Sequence, residues 1–359
     1  MKIGIIGDNH LTIQDPYSGI DPTSGFAIRT IDKFNSLREA LEISKKEKVK
    51  LFVINGDLTE KMNPPEKLKD YFYDILIDYC QYFDIIILPG NHDGIQTSHN
   101  YMTEKLFSDK FGLSNLIIID KITLLEKYPI DILIIPWTTD LDAINQALID
   151  YGHDNAICIG HLEIIGAVST TEHVLNLGIQ AQRFSRFKAV FLNHYHKYQK
   201  VGKNIWYVGS SNIKDFSEIG LPKGFVIYDS VKNNHEFYQL EKRLFYEFLI
   251  SEKTLDDVDQ FLEEHSQDLQ GSVIKLKIEG SKHWISEIRS EILKIFNEFK
   301  PLKILPKYTY LKEESGEIIS IQAQNNRYEK IKEFCKETPQ FLEYGIKKFQ
   351  LAEQKFKEV

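Results

Sequence analysis

Short β-branched runs ending in polar residues or glycine recur through the first 230 positions. They are Lys2–Ile6, Leu51–Ile54, Asp84–Leu88, Leu116–Ile119, Asp131–Ile135, Ala156–Ile159, Ala189–Leu192, Ile205–Val208 and Phe225–Tyr228. Their length and Ile/Val content predict buried strands. Amphipathic stretches lie between several of them. Ile31–Glu47 places Phe34, Leu37, Leu41 and Ile43 on or near one face, and Glu66–Tyr82 spaces Leu68, Phe72, Ile75, Leu76 and Tyr79 at helical intervals. Asp140–Asp150 is a shorter third. Alternation of strand and helix predicts an α/β layered core. Fewer helices separate the later strands, so a second, more antiparallel sheet is expected. Gln14–Gly25, rich in Pro, Gly, Ser and Asp, reads as a loop, either functional or a solvated excursion.

The texture changes near residue 240. Ser251–Glu264 and His283–Phe299 read as helices, and Ser272–Ile278 as a strand between Gly271 and Gly280. The expectation is a core domain over 1–240 and a small α+β domain over 241–325. Residues 326–359 are charged with interspersed Tyr328, Ile331, Phe334, Phe341, Ile346, Phe349 and Leu351. They read as a helical tail with a partial apolar stripe, packed on its own domain or docking a partner.

Composition narrows the class. With 359 residues and 42% hydrophobic content the chain can bury a substantial core. A net charge of -8 excludes a global basic field, so nucleic-acid contact would need a local patch, metal ions or a partner's surface. Cys80, Cys158 and Cys335 are widely spaced and form neither a disulfide framework nor a thiolate metal pair, which points to a reducing compartment. Asp8 interrupts the N-terminal apolar run too early for a signal peptide, and no run of about 18 apolar residues exists. An intracellular, cytoplasmic protein without a membrane span is expected.

Five of the 11 histidines sit at strand ends beside Asp, Asn or Gly. The stretches are Asp8-Asn9-His10, Gly56-Asp57, Gly90-Asn91-His92-Asp93, Gly160-His161 and His194-Tyr195-His196. Functional groups in α/β sheets cluster just beyond the carboxyl ends of strands. Mixed carboxylate and imidazole donors without thiolates suit Mn, Fe or Zn better than Ca, and argue against a structural zinc site. Asp57 is the natural bridging group, because its two oxygens can touch two ions. Two ions about 3.5–4 Å apart can clamp a phosphate and activate a water. His99, His153, His173, His235, His265 and His283 read as structural.

The order Asp-x-His, Gly-Asp, Gly-Asn-His-Asp, Gly-His, His-x-His resembles the calcineurin-like metallophosphoesterase superfamily. The resemblance implies a four-layer α-β-β-α sandwich and two divalent metal ions, Mn²⁺ foremost, with Mg²⁺, Fe²⁺ or Zn²⁺ as alternatives. It implies Asp8, His10, Asp57 and His196 on one ion, and Asp57, Asn91, His161 and His194 on the other. His92 is then the catalytic, non-ligand histidine. Asp93 either tunes His92 or serves the fold, since adjacent residues of an extended chain face apart.

A narrower resemblance lies in Ile205-Trp206-Tyr207-Val208-Gly209-Ser210-Ser211-Asn212, then Phe216, Glu218 and Lys223-Gly224-Phe225. This segment is similar to one in SbcD-type DNA double-strand-break repair nucleases. It implies a DNA exonuclease or endonuclease, a DNA-capping role for the α+β domain, a homodimer, and an SbcC-type coiled-coil ATPase docking on the tail. Two positions depart from that family. Glu60 stands where His is frequent, which leaves the exonuclease–endonuclease balance open. Asn193 stands where Gly is usual and reads as a minor change. The compact length fits a phage or viral member. Arg29, Arg183, Arg186, Lys188, Lys197, Lys200 and Lys203 are cations that could meet phosphate, and most read as a solvated face. Arg183, Arg186 and Lys197 are retained as substrate-binding because they flank the later donors. The competing readings are a small-molecule phosphodiesterase or phosphatase with the same metals, and a metal-dead interaction scaffold.

Overall fold

Alternate residues of each central strand enter different apolar cores, and this alternation sorts the chain into layers. The structure is a computed structural model that describes residues 1–94, 114–251, 254 and 257–311. Its contacts divide into two units, Met1–Tyr246 with Gly271–Val273, and Glu247–Gln270 with the chain from Ile274 onward.

In chain order the first unit carries β1 (Lys2–Ile6), α1 (Ile28–Lys46), β2 (Leu51–Asn55), α2 (Glu66–Tyr79), β3 (Asp84–Leu88), β4 (Leu116–Ile118), β5 (Thr123–Leu125) and β6 (Asp131–Ile135). It continues with α3 (Leu141–Tyr151), β7 (Ala156–His161), β8 (Ala189–Asn193), β9 (Gln199–Lys200), β10 (Ile205–Tyr207), β11 (Gly224–Asp229) and β12 (Asn234–Gln239). One sheet has the order β12-β11-β1-β2-β3-β4, the other β5-β6-β7-β8-β10-β9.

Ile3, Ile5, Leu51, Val53, Ile86 and Leu88 of the first sheet share a core with Ile132, Ile134, Ile157, Ile159 and Phe191 of the second. Their neighbours Phe52, Ile54, Ile85 and Ile87 pack outward with Phe34, Leu37 and Leu41 of α1 and Leu68, Phe72, Ile75 and Leu76 of α2. On the far side Leu133, Ile135, Cys158, Val190 and Leu192 pack with Ile144 and Leu148 of α3 and with Phe184 and Phe187. Three cores between four layers make an α-β-β-α sandwich. Burying both faces of each central strand is why those strands read as unbroken Ile/Val runs. Asp140 caps α3 by accepting from Ala143 N at 2.9 Å.

The expected antiparallel second sheet is corrected. β6, β7, β8 and β10 are parallel, and only the edge strands β5 and β9 pair antiparallel. The crossover from β7 to β8 is a long loop with a short 3-10 turn at Ala181–Phe184, so few helices did not mean hairpins.

The second unit holds a sheet of order β13-β14-β15, from β13 (Phe245–Ser251), β14 (Val273–Gly280) and β15 (Lys303–Tyr310), with α4 (Asp257–His265) and α5 (Lys282–Glu298). The expected helix at Ser251–Glu264 is corrected at its start. Ser251 ends a strand whose exposure alternates, and the helix begins at Asp257. Residues 326–359 lie outside the described residues.

Candidate metal centre

The turns after β1, β2, β3, β7 and β8 meet along one edge of the sandwich. Asp8 N donates to Gly56 O at 3.0 Å, His10 N to Asp57 O at 2.9 Å and Leu11 N to Leu58 O at 2.8 Å, zipping the first turn to the second. Asp8, His10 and Asp57 have φ of 49° and His194 has φ of 118°. Left-handed backbone at non-glycine residues costs free energy, and concentrating it here fits a functional edge. Two glycines make the room. A Cβ on Gly56 would lie 2.2 Å from His161 Nδ1, and one on Gly90 2.2 Å from Asp57 Oδ1.

The donors converge in two groups sharing Asp8, with His10, Glu60 and His92 forming a third beside them. Atoms of Asp8, His10 and His196 lie within 4.8 Å of one another, as do atoms of Asp8, Asp57 and His161. His10 Nε2 faces His196 Nε2 at 3.0 Å. Asn91 Oδ1 lies 3.2 Å from His161 Nε2 and 2.9 Å from His194 Nδ1. Asp57 Oδ2 stands between the groups, 3.8 Å from His10 Nε2 and 3.5 Å from His161 Nε2. Asp8 Oδ1 is buried with no hydrogen-bond partner. An orphaned carboxylate oxygen among converging imidazoles is uncompensated unless a cation meets it. The donor set therefore fits divalent ions.

Burial pulls His10 down to about 4, against its hydrogen bond to Glu60 and with the help of His196. Burial and the charge of His161 lower His194. Both shifts favour the neutral imidazole that binds a metal. Burial alone would also lower His161, but Asp57 outweighs it and raises His161 to about 9. Burial raises Asp57 less than His161 and His10 lower it, so it stays well below the usual carboxylate range.

Each histidine of the cluster is braced through another nitrogen. Glu60 Oε2 lies 2.8 Å from His10 Nδ1, Glu218 Oε1 2.5 Å from His196 Nδ1, and Glu163 Oε1 2.9 Å from His194 Nε2. His161 Nδ1 pairs with Asn55 O at 3.0 Å. Glu218 Oε2 in turn accepts from Lys223 Nζ and from Lys214 N, both at 2.7 Å. Such contacts fix the imidazole tautomer and raise its basicity toward a metal. Trp137 stacks on His194 with centroids 5.0 Å apart. The fully buried Asp93 serves the fold, accepting from Leu58 N, Thr59 N, Thr59 Oγ1 and Gly90 N at 2.8–3.1 Å.

The structure thus brings together Asp8, His10, Asp57, Asn91, His161, His194 and His196. His92 sits beside them, its ring edge-on to His10 at 4.8 Å and its Nδ1 3.1 Å from Glu60 O. It does not bring Arg183 and Arg186 to the cluster. Both are exposed at the 3-10 turn of the outer layer, and Arg186 donates to Ile149 O of α3 at 2.8 Å. The turn packs beside α3 through Phe184 and Phe187. Lys197 is paired with Glu172 at 2.6 Å. The reading of Asn193 as a minor change is corrected. Its side chain is fully buried, donates to Asp8 Oδ2 at 2.9 Å and Gly209 O at 3.0 Å, and accepts from Asn55 Nδ2 at 3.0 Å. Glu163, Lys214 and Trp137 went unseen, since a carboxylate two residues past His161 or a lysine between Ile213 and Asp215 carries no periodic signal. Glu218 and Lys223 were visible only as part of a resembling segment.

A helix-clad double sheet with a carboxylate–imidazole cluster on one edge defines a metallophosphoesterase. Residues 1–218 match the family model of calcineurin-like phosphoesterases, so the chain belongs to that family and is a metal-dependent phosphoester hydrolase. Among solved structures it is similar to a dimetal phosphatase from Danio rerio, with 12% identity and a TM-score of 0.35 over 63% of this chain and 91% of that chain. No curated protein matches it by sequence. No helix of the described residues is long and apolar enough to cross a membrane.

Proposed function

We propose that this chain is a two-ion, Mn-dependent DNA phosphodiesterase that trims or nicks DNA ends in repair or recombination. In this reading it is a homodimeric nuclease subunit working with an SbcC-type ATPase. The observation that carries the proposal lies in the segment from Tyr207 to Phe225, which resembles SbcD-type nucleases more narrowly than the superfamily. That segment is built into the centre. Tyr207 Oη donates to Leu162 O at 2.7 Å, behind His161, and Glu218 and Lys223 brace His196.

Asp8, His10, Asp57 and His196 would hold one ion, and Asp57, Asn91, His161 and His194 the other. When bound, the ions would neutralise phosphate charge and make water nucleophilic at neutral pH. The chain's own groups do the rest. Asp57 is kept ionised between the two donor groups. Glu60, Glu218 and Glu163 keep the imidazoles aimed. His92, with Nδ1 held by Glu60 O, can deliver the Nε2 proton to the departing oxygen when it is an imidazolium.

A small-molecule phosphodiesterase is the second reading, favoured by one observation. A cleft of about 520 Å³ lined by Tyr17, Lys33, Glu60, Lys61, Lys214 and Asp215 adjoins the centre, a size that suits a small ligand. Digestion of end-labelled linear DNA with Mn²⁺ or Mg²⁺, with and without EDTA, tests the proposal. Mn²⁺-dependent cleavage abolished by EDTA is expected. Turnover of bis(p-nitrophenyl) phosphate with DNA left intact would replace the nuclease reading with the second one.

A further inference from the structure

Arg183 and Arg186 are not at the centre, but Lys214 is. Lys214 Nζ lies 3.3 Å from Glu60 Oε2 and 3.5 Å from His10 Nδ1. Its backbone is pinned by the bond from Lys214 N to Glu218 Oε2. Glu60 is equally fixed, because its N donates to Leu11 O at 2.9 Å and its O receives His92 Nδ1. Its Oε1 is 3.9 Å from His92 Nδ1. Both side chains are about one-third exposed, at 31%, and both line the cleft beside the centre. They are therefore wet enough to meet substrate yet rigidly mounted.

We propose that Lys214 and Glu60 act together as the charge selector of this centre, admitting singly charged phosphodiesters and disfavouring doubly charged monoesters. The inference rests on the phosphoesterase reading and names its substrate class. Lys214 is the positioning cation, close enough to the reacting edge to meet a non-bridging phosphate oxygen. Glu60 limits how much negative charge that oxygen set can carry. A diester bears one negative charge, and a monoester close to two at neutral pH. The second charge would face the Glu60 carboxylate beside the cleft, and like charges repel. The same carboxylate braces His10, so the selector is mounted on the metal-facing machinery and cannot swing aside without cost to it.

Glu60→Gln keeps an oxygen for His10 Nδ1 and removes the charge. Lys214→Met removes the cation and leaves Glu60 uncompensated. The probes are bis(p-nitrophenyl) phosphate and p-nitrophenyl phosphate with Mn²⁺, read as kcat/KM for each, with bound Mn counted by atomic emission. Wild type should favour the diester. Glu60→Gln should shift the diester-to-monoester ratio toward the monoester by about tenfold, whatever happens to the absolute rates. Lys214→Met should shift it the other way, mainly through a higher monoester KM. A ratio unchanged in both variants, with Mn retained, overturns the selector while leaving the phosphodiesterase standing. A wild type that hydrolyses neither probe nor DNA overturns the parent reading instead.

Discussion

At the scale of single residues, Asp57 and the carboxylates behind the histidines do different work. Asp57 stands between both donor groups, so Asp57→Ala should strip both ions, which isothermal titration with Mn²⁺ would show as loss of all tight binding. One ion retained at full affinity would sink the bridging role. Glu218 touches only His196, Lys223 and Lys214 among these groups. Glu218→Gln should weaken metal binding by about 10–100-fold without abolishing it. His92→Ala should abolish hydrolysis with metal content near wild type; parallel loss of metal would make His92 a ligand. Gly7 is a further constraint. A Cβ there would lie 2.5 Å from Asn193 Cγ and 2.8 Å from Asn55 O. Gly7→Ala should cost roughly 1–3 kcal/mol by urea denaturation, the range for overpacking a dense core.

Among elements, the edge turns and α2 show how packing sets chemistry. Asp93 ties the turn after β3 to the turn after β2 with three hydrogen bonds and closes its own turn with a fourth, from Gly90 N, which is why the donor-bearing Asp57 and Asn91 keep station. Cys80 closes α2, its N bonded to Leu76 O at 3.2 Å. Burial, then the charge of Asp84, pushes its thiol up from 9.0 to about 11. A raised thiol pKa in the folded state means stability is intact below about 9 and is lost as pH climbs toward 11. In a Cys335→Ser background, iodoacetamide should leave folded protein unlabelled at pH 8 and label it readily in denaturant. Rapid labelling of Cys80 in the folded state would contradict the burial. Central strands were readable because two-sided burial demands continuous Ile and Val. The edge strands β5, β9, β12 and β15 were not, because exposed edges can hold polar residues at either parity.

For the first unit as a whole, the donors come from both sheets, with Asp8, His10, Asp57 and Asn91 following strands of one and His161, His194 and His196 at or beyond strand ends of the other. Ions held there would tie the sheets together only in the folded state. Mn²⁺ at a hundredfold excess over Kd should therefore stabilise the unit by about 2.7 kcal/mol, seen as a higher Tm that EDTA reverses. An identical Tm in Mn²⁺ and EDTA would refute a folded-state metal centre.

What the sequence determined by itself was the inventory: which strands have two buried faces, and which carboxylates and imidazoles follow them. Burial periodicity and strand-end chemistry are local and survive without coordinates. Tertiary structure decided the rest. It chose Glu60, Glu163 and Glu218 to brace His10, His194 and His196, made Asn193 a buried hub, and set Lys214 rather than Arg183 or Arg186 beside the reacting edge. Those outcomes depend on loops whose ends are far apart in the chain and whose path no periodicity encodes. A side chain's role there follows from what it meets in space, and proximity along the chain does not predict that meeting.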